Sequence, residues 1–594
     1  MNIAEKLSAL RSVMQAENID ACIIPGTDSH LSEYPAACWK SREWISGFTG
    51  SAGTVVVTAG KAGLWTDSRY FIQAETQLKG TGIRLFKERI PGTPTVNEWL
   101  SGELKKGGVV GLDGAVFAVS DANELKTYLH KHGLVLNTKF TPLNTLWTAR
   151  PEVPSNHVFL LPEIFSGASP KQKIALALEA IHREGANASI LVSLDMIAWL
   201  FNIRSNDVDY NPVAVSYAYV SDKETVLFIN PRKLSPEVSE YLKSQGIIFA
   251  GYEKITGYIG NLKEDTRLLI NPSKINFELF EAIPECCPVI ETSIHPVDML
   301  KSIKNETEIK GFRNAMKKDG IALVRFWMWM EDALSLGEQV TELDVSEKLR
   351  EYRSRQDLYF GESFSSIVGY AGHGAIVHYS ATEDTNGCIR KEGLLLVDSG
   401  AQFFDGTTDI TRTFAVGEVT EAMKNDYTAV LKGNIGLSMA KFPKGTKGVQ
   451  LDILARRALW ENGINYLHGT GHGIGHFLNV HEGPHSIRME YNPVAIAPGM
   501  VTSNEPGIYR EGEYGIRIEN LILAEKAGET AFGEFYQFET LTLCPIDKKP
   551  INRALLSEEE IDWLNTYHKK VYDILSPGLD EGEQKWLKEK TDEI

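Results

Sequence analysis

An approximate internal repeat in the first half of the chain constrains the fold more than any other sequence feature. In each copy, an apolar run typical of a strand leads to an aspartate, at Asp28 or at Asp195. An aromatic segment follows at residues 44–48 or 199–203, and later strand-like runs end in a polar turn. The repeat predicts two copies of one α/β fold. The alternative at this point is a chance similarity between unrelated α/β units.

The length of the chain requires several domains, because one hydrophobic core rarely serves more than about 250–300 residues. The chain has 594 residues, and its pattern changes at two places. Residues 144–154 are typical of a linker because they contain two prolines, and residues 302–307 begin a polar, helix-prone segment. We therefore predict domains at residues 1–150, 151–303 and 304–594, the last ending in a helical tail.

Charge and composition exclude several classes of partner. The formal net charge is −17, whereas binding to nucleic acids or anionic membranes requires a basic surface. No apolar run is long enough for the core of a signal peptide or for a membrane span. Six cysteines in so long a chain do not form a disulfide framework. We therefore predict a cytoplasmic protein with no nucleic-acid or membrane partner.

Two aspartates in the third domain stand where neighbouring strands are predicted. Asp398 ends an apolar run, and Asp409 lies eleven residues later, beyond a turn signal at residues 404–406. A strand on each side of the turn allows both carboxylates to point into one space. Two buried carboxylates repel each other, so one must bind a proton or a cation must lie between them.

Three further residues supply donors for such a cation. His472 lies in a glycine-rich run, Glu505 begins a Glu-Pro-Gly turn, and Glu519 follows an alternating apolar segment. With the two aspartates, they form a set that suits two divalent, oxygen-preferring ions such as Mn²⁺ better than a thiolate zinc site. Each residue alone has a simpler interpretation: a strand-end aspartate is usually a turn or cap residue, and a histidine among glycines is often structural.

The ordered set of motifs resembles the signature of the pita-bread metallopeptidases, which include methionine aminopeptidase, prolidase and aminopeptidase P. The matching segments are residues 397–400, 408–413, 469–475, 505–507 and 517–520. Further segments that resemble the long, three-domain cytosolic Xaa-Pro aminopeptidases are residues 46–53, 65–71, 197–204 and 562–565. The resemblance implies an α/β (α+β) chain in which two creatinase/prolidase-like N-terminal domains precede a pita-bread catalytic domain.

The same resemblance implies a set of metal ligands. Asp398 would chelate one ion, and Asp409 and Glu519 would bridge both ions. His472 and Glu505 would complete the shell of the other ion. Each subunit would then hold two divalent ions, with Mn²⁺ favoured by the oxygen-rich shell and Zn²⁺ or Co²⁺ as alternatives.

Four residues receive catalytic roles from the resemblance. Glu505 would carry a proton from the attacking water to the leaving nitrogen. His378, His468 and His481 would stabilise the tetrahedral intermediate, because a neutral imidazole donates to a developing oxyanion without adding a full charge. The simpler interpretation of each histidine is a hydrogen-bonded core residue.

The residues expected to bind substrate are Arg69, His378, His481 and Arg517. Arg517 shares a face with Glu519 if the segment is a strand, so it would also order the carboxylates. A surface salt bridge is the alternative for Arg517. Arg69 matches a family arginine that helps to bind substrate, with a solvated surface position as its alternative.

Two positions depart from the usual family pattern. His373 stands where relatives usually have asparagine, and Ser503 and Asn504 form a less usual pair before the catalytic glutamate. These departures bear on side-chain preference rather than on hydrolysis. His476 and His485 lie close to the motifs, but we expect both to be structural.

The function that the resemblance implies is metal-dependent release of the N-terminal residue from peptides with proline in the second position, and the family analogy also implies a homodimer. A proline nitrogen is tertiary in a peptide, so peptidases that need an amide N–H cannot handle this bond. One alternative is a prolidase that cuts Xaa-Pro dipeptides. The other is a non-catalytic, peptide-binding protein that keeps the pita-bread fold.

Overall fold

The computed structural model describes residues 1–594, which divide into two compact units. The first unit comprises Met1–Leu161 and Ala168–Asp298, and the second comprises Pro162–Gly167 and Met299–Ile594. No helix of either unit combines the length and the apolar character needed to cross a bilayer. The three domains expected from the sequence, with boundaries after residues 150 and 303, stay a prediction.

The strands of the first unit are β1 (Ala21–Pro25), β2 (Thr54–Thr58), β3 (Ala62–Thr66), β4 (Arg84–Lys87), β5 (Val109–Gly111), β6 (Val135–Asn137), β7 (Phe159–Leu160), β8 (Ala188–Leu191), β9 (Ile203–Arg204), β10 (Ser216–Ser221), β11 (Thr225–Ile229), β12 (Ile247–Ala250), β13 (Leu268–Ile270) and β14 (Val289–Glu291). The strands of the second unit are β15 (Tyr359–Glu362), β16 (Ile367–Tyr370), β17 (Leu394–Ser399), β18 (Ala401–Phe403), β19 (Gly406–Thr407), β20 (Ile410–Ala415), β21 (Lys441–Pro443), β22 (Gly471–Gly473), β23 (Glu482–Ile487), β24 (Val501–Asn504), β25 (Gly507–Arg510), β26 (Tyr514–Arg517), β27 (Asn520–Thr530) and β28 (Gly533–Thr540).

The helices are α1 (Ile3–Ala16), α2 (Ser41–Ser46), α3 (Phe71–Gln77), α4 (Val96–Glu103), α5 (Val119–Lys131), α6 (Leu143–Leu146), α7 (Glu163–Ser166), α8 (Pro170–Arg183), α9 (Leu194–Phe201), α10 (Pro236–Ser244), α11 (Ile255–Ile259), α12 (Phe277–Glu281), α13 (Pro296–Ser302), α14 (Glu306–Leu336), α15 (Glu342–Ser354), α16 (Glu421–Ser438), α17 (Gly448–Trp460), α18 (Glu558–Leu575) and α19 (Glu581–Thr591).

Two six-stranded sheets of the first unit share one topology. The first sheet has the strand order β4-β3-β2-β1-β5-β6, and the second has the order β12-β11-β10-β8-β13-β14. The earliest strand of each sheet pairs antiparallel on one side and parallel on the other: β1 with β2 and β5, and β8 with β10 and β13. The matching order and directions confirm the predicted repeat of one α/β fold.

Elements of the first unit form where the apolar spacing predicts them. The side chain of Asn2 caps α1, and the helix buries Leu7, Leu10 and Met14 at helical spacing. The other predicted elements, at residues 21–25, 54–57, 170–184 and 189–192, are found as β1, β2, α8 and β8.

The second unit combines several sheets with long helices. β16-β17-β20 form a three-stranded sheet, β21-β28-β27-β24-β22-β23 form a six-stranded sheet, and β25-β26 form a hairpin. Helices α14, α16, α17 and α18 share one apolar core with strands β24 to β27, and its buried members include Phe312, Tyr427, Leu459 and Leu564. Burial of one such side chain contributes about 1.5–3 kcal/mol, so this core holds the site's strands in place.

Capping residues fix where the long helices of the second unit begin and end. The helix-prone segment at residues 302–307 leads into α14, where Asn305 and Glu308 exchange hydrogen bonds in a capping box. α14 ends at Gly337, whose φ of 78° suits a glycine cap. The predicted tail helix is α18, which begins after Ser557 with a second capping box.

Candidate metal centre

Asp398 and Asp409 lie on neighbouring antiparallel strands, as the sequence predicted. β17 pairs with β20 so that Asp398 stands opposite Thr411, and Asp409 directly precedes β20. The relative exposures of the two aspartates are only 8% and 4%. The residues between β17 and β20 form the β18–β19 hairpin. The turn that connects β17 to β20 therefore lies outside the hydrogen-bonded pairing of those two strands.

The other three candidate ligands come from adjacent strands of the six-stranded sheet. His472 is the middle residue of β22, which pairs with β24. Strands β24 and β27 run antiparallel, with Asn504 opposite Asn520. Glu505 directly follows β24 and Glu519 directly precedes β27, so both carboxylates leave the sheet at the same end.

Glycines around His472 permit the close approach of these strands. A Cβ atom at Gly471 would lie 2.0 Å from the carbonyl oxygen of Ser503, a distance that no side chain tolerates. The glycine-rich run therefore reflects backbone packing of β22 against β24, in addition to any role of its histidines.

Most of the predicted ligands meet in one cluster. Single ligand atoms of Asp409, His472 and Glu519 all lie within 4.8 Å of one another. The Nε2 atom of His472 is 3.6 Å from Oδ2 of Asp409 and 3.5 Å from Oε1 of Glu505. The structure thus brings four of the five predicted ligands together, and Asp398 joins them electrostatically as a direct influence on the pKa of Asp409.

Burial and mutual repulsion raise the pKa values of the clustered carboxyl groups. Burial makes the largest contribution to the pKa values of Asp409 and Glu519, which rise well above normal, and neighbouring carboxylates add to the rise. Burial also raises the pKa of Glu505 to about 7, with Arg517 opposing the rise and Asp398 adding to it. The buried Oδ1 of Asp398 has no hydrogen-bond partner. This donor set fits divalent cations, which would compensate the charge and satisfy that oxygen.

Arg517 connects the carboxylates, although the local backbone differs from the expectation. Its Nη2 donates to Oδ2 of Asp398 at 2.6 Å, and its Nε donates to Oγ1 of Thr411 at 3.2 Å. That hydroxyl donates in turn to Oε2 of Glu519 at 2.8 Å. The segment from Arg517 to Glu519 is not one strand, so the condition for a shared strand face is not met: β26 ends at Arg517 and β27 begins after Glu519. Arg517 therefore reaches Glu519 through Thr411.

His468 lies beside the cluster and is linked to it by a tyrosine. Its Nε2 lies 2.8 Å from the hydroxyl of Tyr509, which accepts a 2.7 Å hydrogen bond from Nη1 of Arg517. Its Nδ1 is 3.9 Å from Oε2 of Glu505. The three groups form a connected polar network around the candidate proton carrier.

His481 and His378 lie close to the same network. The rings of His481 and His472 are 4.3 Å apart and meet edge to face. The residue before His378, Val377, accepts a 3.4 Å hydrogen bond from Nη2 of Arg517 through its carbonyl oxygen. The catalytic and substrate-binding roles of these histidines stay predictions.

Two other histidines are structural, as expected. His476 is buried and its Nε2 contacts the carbonyl oxygen of Asp405 at 3.0 Å. His485 is buried, its Nε2 contacts the carbonyl oxygen of Val501, and burial lowers its pKa to about 3. A histidine held neutral in this way serves packing and hydrogen bonding.

Arg69 belongs to the first unit and is held by acidic neighbours there. Its Nη2 lies 2.8 Å from Oδ2 of Asp67, and its Nη1 lies 3.6 Å from Oε1 of Glu33. The side chain is 24% exposed, which is less than a fully solvated arginine. Its role in substrate binding stays a prediction.

The sequence motifs did not single out Tyr509, Thr411 or Ser503 as functional. Ser503 donates from Oγ to Oε1 of Glu505 at 3.1 Å and accepts from the backbone N–H of His472 at 3.0 Å. The sequence did contain one signal for Ser503, because this residue belongs to the less usual Ser-Asn pair that precedes Glu505. Tyr509 and Thr411 act through contacts between distant segments, which no local pattern reveals.

Family models match nearly the whole chain. The creatinase/prolidase N-terminal domain matches at residues 6–146 and again, in a second form, at residues 149–308. Metallopeptidase family M24 matches at residues 310–526, and the C-terminal region of peptidase M24 matches at residues 534–594. The M24 match contains all five candidate ligands.

Relatives resemble the chain over its full length. A probable Xaa-Pro aminopeptidase P from Coprinopsis cinerea is 41% identical, over 100% of this chain and 99% of the relative. The crystal structure of an X-prolyl aminopeptidase from Caenorhabditis elegans, described as a cytosolic enzyme with a di-nuclear active site, aligns with a TM-score of 0.96 and 35% identity over 100% of both chains. A Xaa-Pro dipeptidase from Bacillus anthracis aligns with a TM-score of 0.51 and 26% identity, over 64% of this chain and 99% of that one.

Proposed function

This chain belongs to metallopeptidase family M24, among the Xaa-Pro aminopeptidases P, and we propose that it releases the N-terminal residue from peptides with proline in the second position. The observation that carries the proposal is the convergence of the buried Asp409 and Glu519 with the partly buried His472 and Glu505, in a chain that such enzymes match from end to end. The fold is accordingly α/β, with creatinase-like domains before a pita-bread domain.

The donor set suits two divalent cations held by carboxylates and one imidazole. Asp398 would hold one ion and His472 and Glu505 would hold the other, with Asp409 and Glu519 as ligands shared by both. We favour Mn²⁺ because four of the five donors are carboxylates, with Zn²⁺ or Co²⁺ as alternatives. When bound, such ions polarise a peptide carbonyl and lower the pKa of a water.

Glu505 is the candidate proton carrier of the reaction. It takes a proton from the attacking water and passes it to the proline nitrogen, so that one water yields a free amino acid and a shortened peptide. Its carboxylate accepts a hydrogen bond from the hydroxyl of Ser503 at 3.1 Å, which fixes its orientation. Arg517 attracts the Glu505 carboxylate electrostatically and so favours its charged form.

Histidines around the cluster are placed to stabilise the negative charge that develops on the carbonyl oxygen. We assign this role to His378, with His468 and His481 lining the same space. His468 is oriented by Tyr509, which Arg517 in turn holds. Substrate contacts by His481 and Arg517, and by Arg69 of the first unit, are part of the same proposal.

Exposed apolar side chains bear on the assembly of the protein, and its unpaired cysteines bear on its cellular location. Helix α17 exposes Ile453, Leu454 and Trp460, and Leu467 follows it at 60% exposure, which suits a homodimer contact. The similar nematode enzyme is described as cytosolic, and none of the six cysteines is paired. We therefore propose a cytoplasmic homodimer, and the net charge of −17 argues against nucleic acid or anionic membranes as partners.

The specificity test compares three peptides with Mn²⁺-loaded protein: Arg-Pro-Pro, Arg-Pro and Arg-Ala-Pro. An aminopeptidase P releases arginine from Arg-Pro-Pro and leaves Arg-Ala-Pro intact. Cleavage of Arg-Pro with no action on the tripeptide would identify a prolidase instead. Peptide binding without any cleavage would identify a non-catalytic relative.

A further inference from the structure

Glu342 is a fully buried carboxylate outside the metal centre with an unusually complete set of donors. It is the first residue of α15 and has no exposed surface. It accepts hydrogen bonds from the backbone N–H groups of Tyr370 at 2.8 Å and Gly387 at 2.7 Å. The hydroxyl of Tyr379 donates to it at 3.0 Å, and Nδ1 of His373 lies 2.9 Å away. These contacts compensate the cost of burying the charge.

All of these donors lie at or within the segment of residues 370–387, here called the His378 loop. His373 stands five residues before His378, Tyr379 directly after it, and Gly387 nine residues later. After Tyr370, the last residue of β16, the loop contains only a short 3₁₀ turn, Ala371–Ala375, and no strand. Because no sheet ladder fixes this backbone, its side-chain contacts decide where His378 sits.

Glu342 is not needed to cap its own helix, so its contacts require another explanation. Thr341 caps α15, and Asp344 completes the capping box. The Glu342 carboxylate instead faces the loop. The hydrogen bond with Glu342 raises the pKa of His373 against the opposing effect of burial, which strengthens the pair as a charge-assisted contact.

The opposite side of the His378 loop rests on the hairpin that carries Arg517. The backbones of Gly374 and Gly515 touch so closely that a Cβ at Gly515 would lie 1.7 Å from the Gly374 carbonyl oxygen. Arg517 also donates to the carbonyl oxygen of Val377. The His378 loop is therefore held between Glu342 on one side and the β25–β26 hairpin on the other.

We propose that Glu342 is a positioning residue for catalysis: by binding His373 and Tyr379, it fixes the loop so that His378 faces the substrate carbonyl. The proposal rests on the proposed function, because it uses the role of His378 in that reaction. His373 supplies a side-chain nitrogen to the Glu342 carboxylate, from a position five residues before His378. Glu342 itself touches no reacting atom.

The first test is a double-mutant cycle between Glu342→Gln and His378→Ala, with bound Mn²⁺ and thermal midpoint measured for each protein. A misplacement of about 1 Å at a reacting group costs about 10²-fold in rate, so Glu342→Gln is expected to lower kcat by about that factor with unchanged metal content. In the His378→Ala background the same substitution is expected to have no further effect on kcat. Independent, multiplicative losses would overturn the proposal.

A second pair of variants keeps the test decisive if Glu342→Gln fails to fold. His373 is 37% exposed at its side chain, so its replacement perturbs packing little. His373→Asn retains a donor and is expected to keep kcat, whereas His373→Ala is expected to lower kcat with KM unchanged. The matched control is His182→Ala, which removes an exposed histidine that contacts Asp222 at 2.6 Å in the first unit.

Equal kcat values for His373→Asn, His373→Ala and the wild type would overturn the proposal, as would a loss in His373→Asn equal to that in His373→Ala. Failure of the proposed function gives a different result, because the wild-type protein loaded with Mn²⁺ would then not release arginine from Arg-Pro-Pro at all.

Discussion

The guanidinium group of Arg517 donates a 2.6 Å hydrogen bond to Asp398 while a second nitrogen contacts Thr411, which binds Glu519. One cation of the protein itself thus orders two carboxylates that repel each other. The planar fork of arginine suits this arrangement, and a lysine at the same place has no equivalent geometry.

Replacement of Arg517 by lysine keeps the charge but removes the fork. Residues that orient metal ligands typically contribute about 10- to 100-fold to metal affinity or activity, and we expect Arg517→Lys to lose that much. Calorimetric Mn²⁺ titration and kcat/KM measure the effect. Arg510→Lys is the matched control, because Arg510 lies on the same β25–β26 hairpin and pairs with Asp426 of α16, outside the metal centre. Equal losses in both variants would contradict a special role for Arg517.

The C-terminal helix α18 supports the metal centre from behind through Tyr567. The Tyr567 hydroxyl accepts from Nη2 of Arg412 at 2.9 Å, and Nη1 of Arg412 donates to the carbonyl oxygen of Glu519 at 2.7 Å. Tyr567→Phe leaves buried polar groups without a partner and is expected to cost about 1–3 kcal/mol in the free energy of unfolding. Urea unfolding measures this. Tyr572→Phe, on the same helix, is the control. An equally small change in the free energy of unfolding of both variants would show that Tyr567 does not support the metal centre.

Metal-free protein should reveal the raised pKa of Glu505. The folded protein keeps a proton on this group up to a pKa of about 7, whereas the unfolded chain releases it near 4.5. The resulting stability is present below that lower value and is lost as the pH rises through 7. Glutamine does not titrate, so the unfolding free energy of wild type minus Glu505→Gln should fall as the pH rises.

The measurement for Glu505 is urea unfolding of both chelator-treated proteins from about pH 5 to about pH 8, a range that brackets the shift expected from linkage. A difference that stays constant, or that grows with pH, would show that burial does not raise this pKa.

His568 should make the protein sensitive to acid. Burial lowers its pKa to about 3, and its neutral Nε2 accepts a hydrogen bond from the backbone of Ile546 at 3.1 Å. In the unfolded chain the imidazole of His568 takes up a proton as the pH falls below its usual pKa of about 6.5, whereas in the folded chain it stays neutral. The free energy of unfolding therefore decreases as the pH decreases, by about 2 kcal/mol at about pH 5. His568→Gln should show a shallower loss between those pH values in urea unfolding. An unchanged slope would contradict this origin.

The sequence predicted the elements of the site better than their mutual contacts. Asp398 and Asp409 were placed correctly because an apolar run, a turn signal and a second run predict adjacent strands without knowledge of the rest of the fold. The route from Arg517 to Glu519 through Thr411 was not predicted, because the chain leaves β26 and enters β27 between the two residues. Local periodicity does not reveal such a break.

Contacts between distant segments account for most of what the sequence could not supply. Tyr567 reaches Arg412 from 155 residues away, and Glu342 anchors a loop 28 to 45 residues further along the chain. Their partners are set by the packing of helices against sheets. Repeats, caps and strand spacing are local, so the fold of the first unit was predicted more fully than the surroundings of the metal centre.

The most direct test of a two-metal aminopeptidase is a titration of chelator-treated protein with Mn²⁺, in which bound metal and arginine released from Arg-Pro-Pro are counted together. We predict that release of arginine alone rises until two ions are bound per chain, the number that the proposed set of five donors would hold. Full metal uptake without release of arginine, or release that does not depend on added metal, would contradict the proposed function.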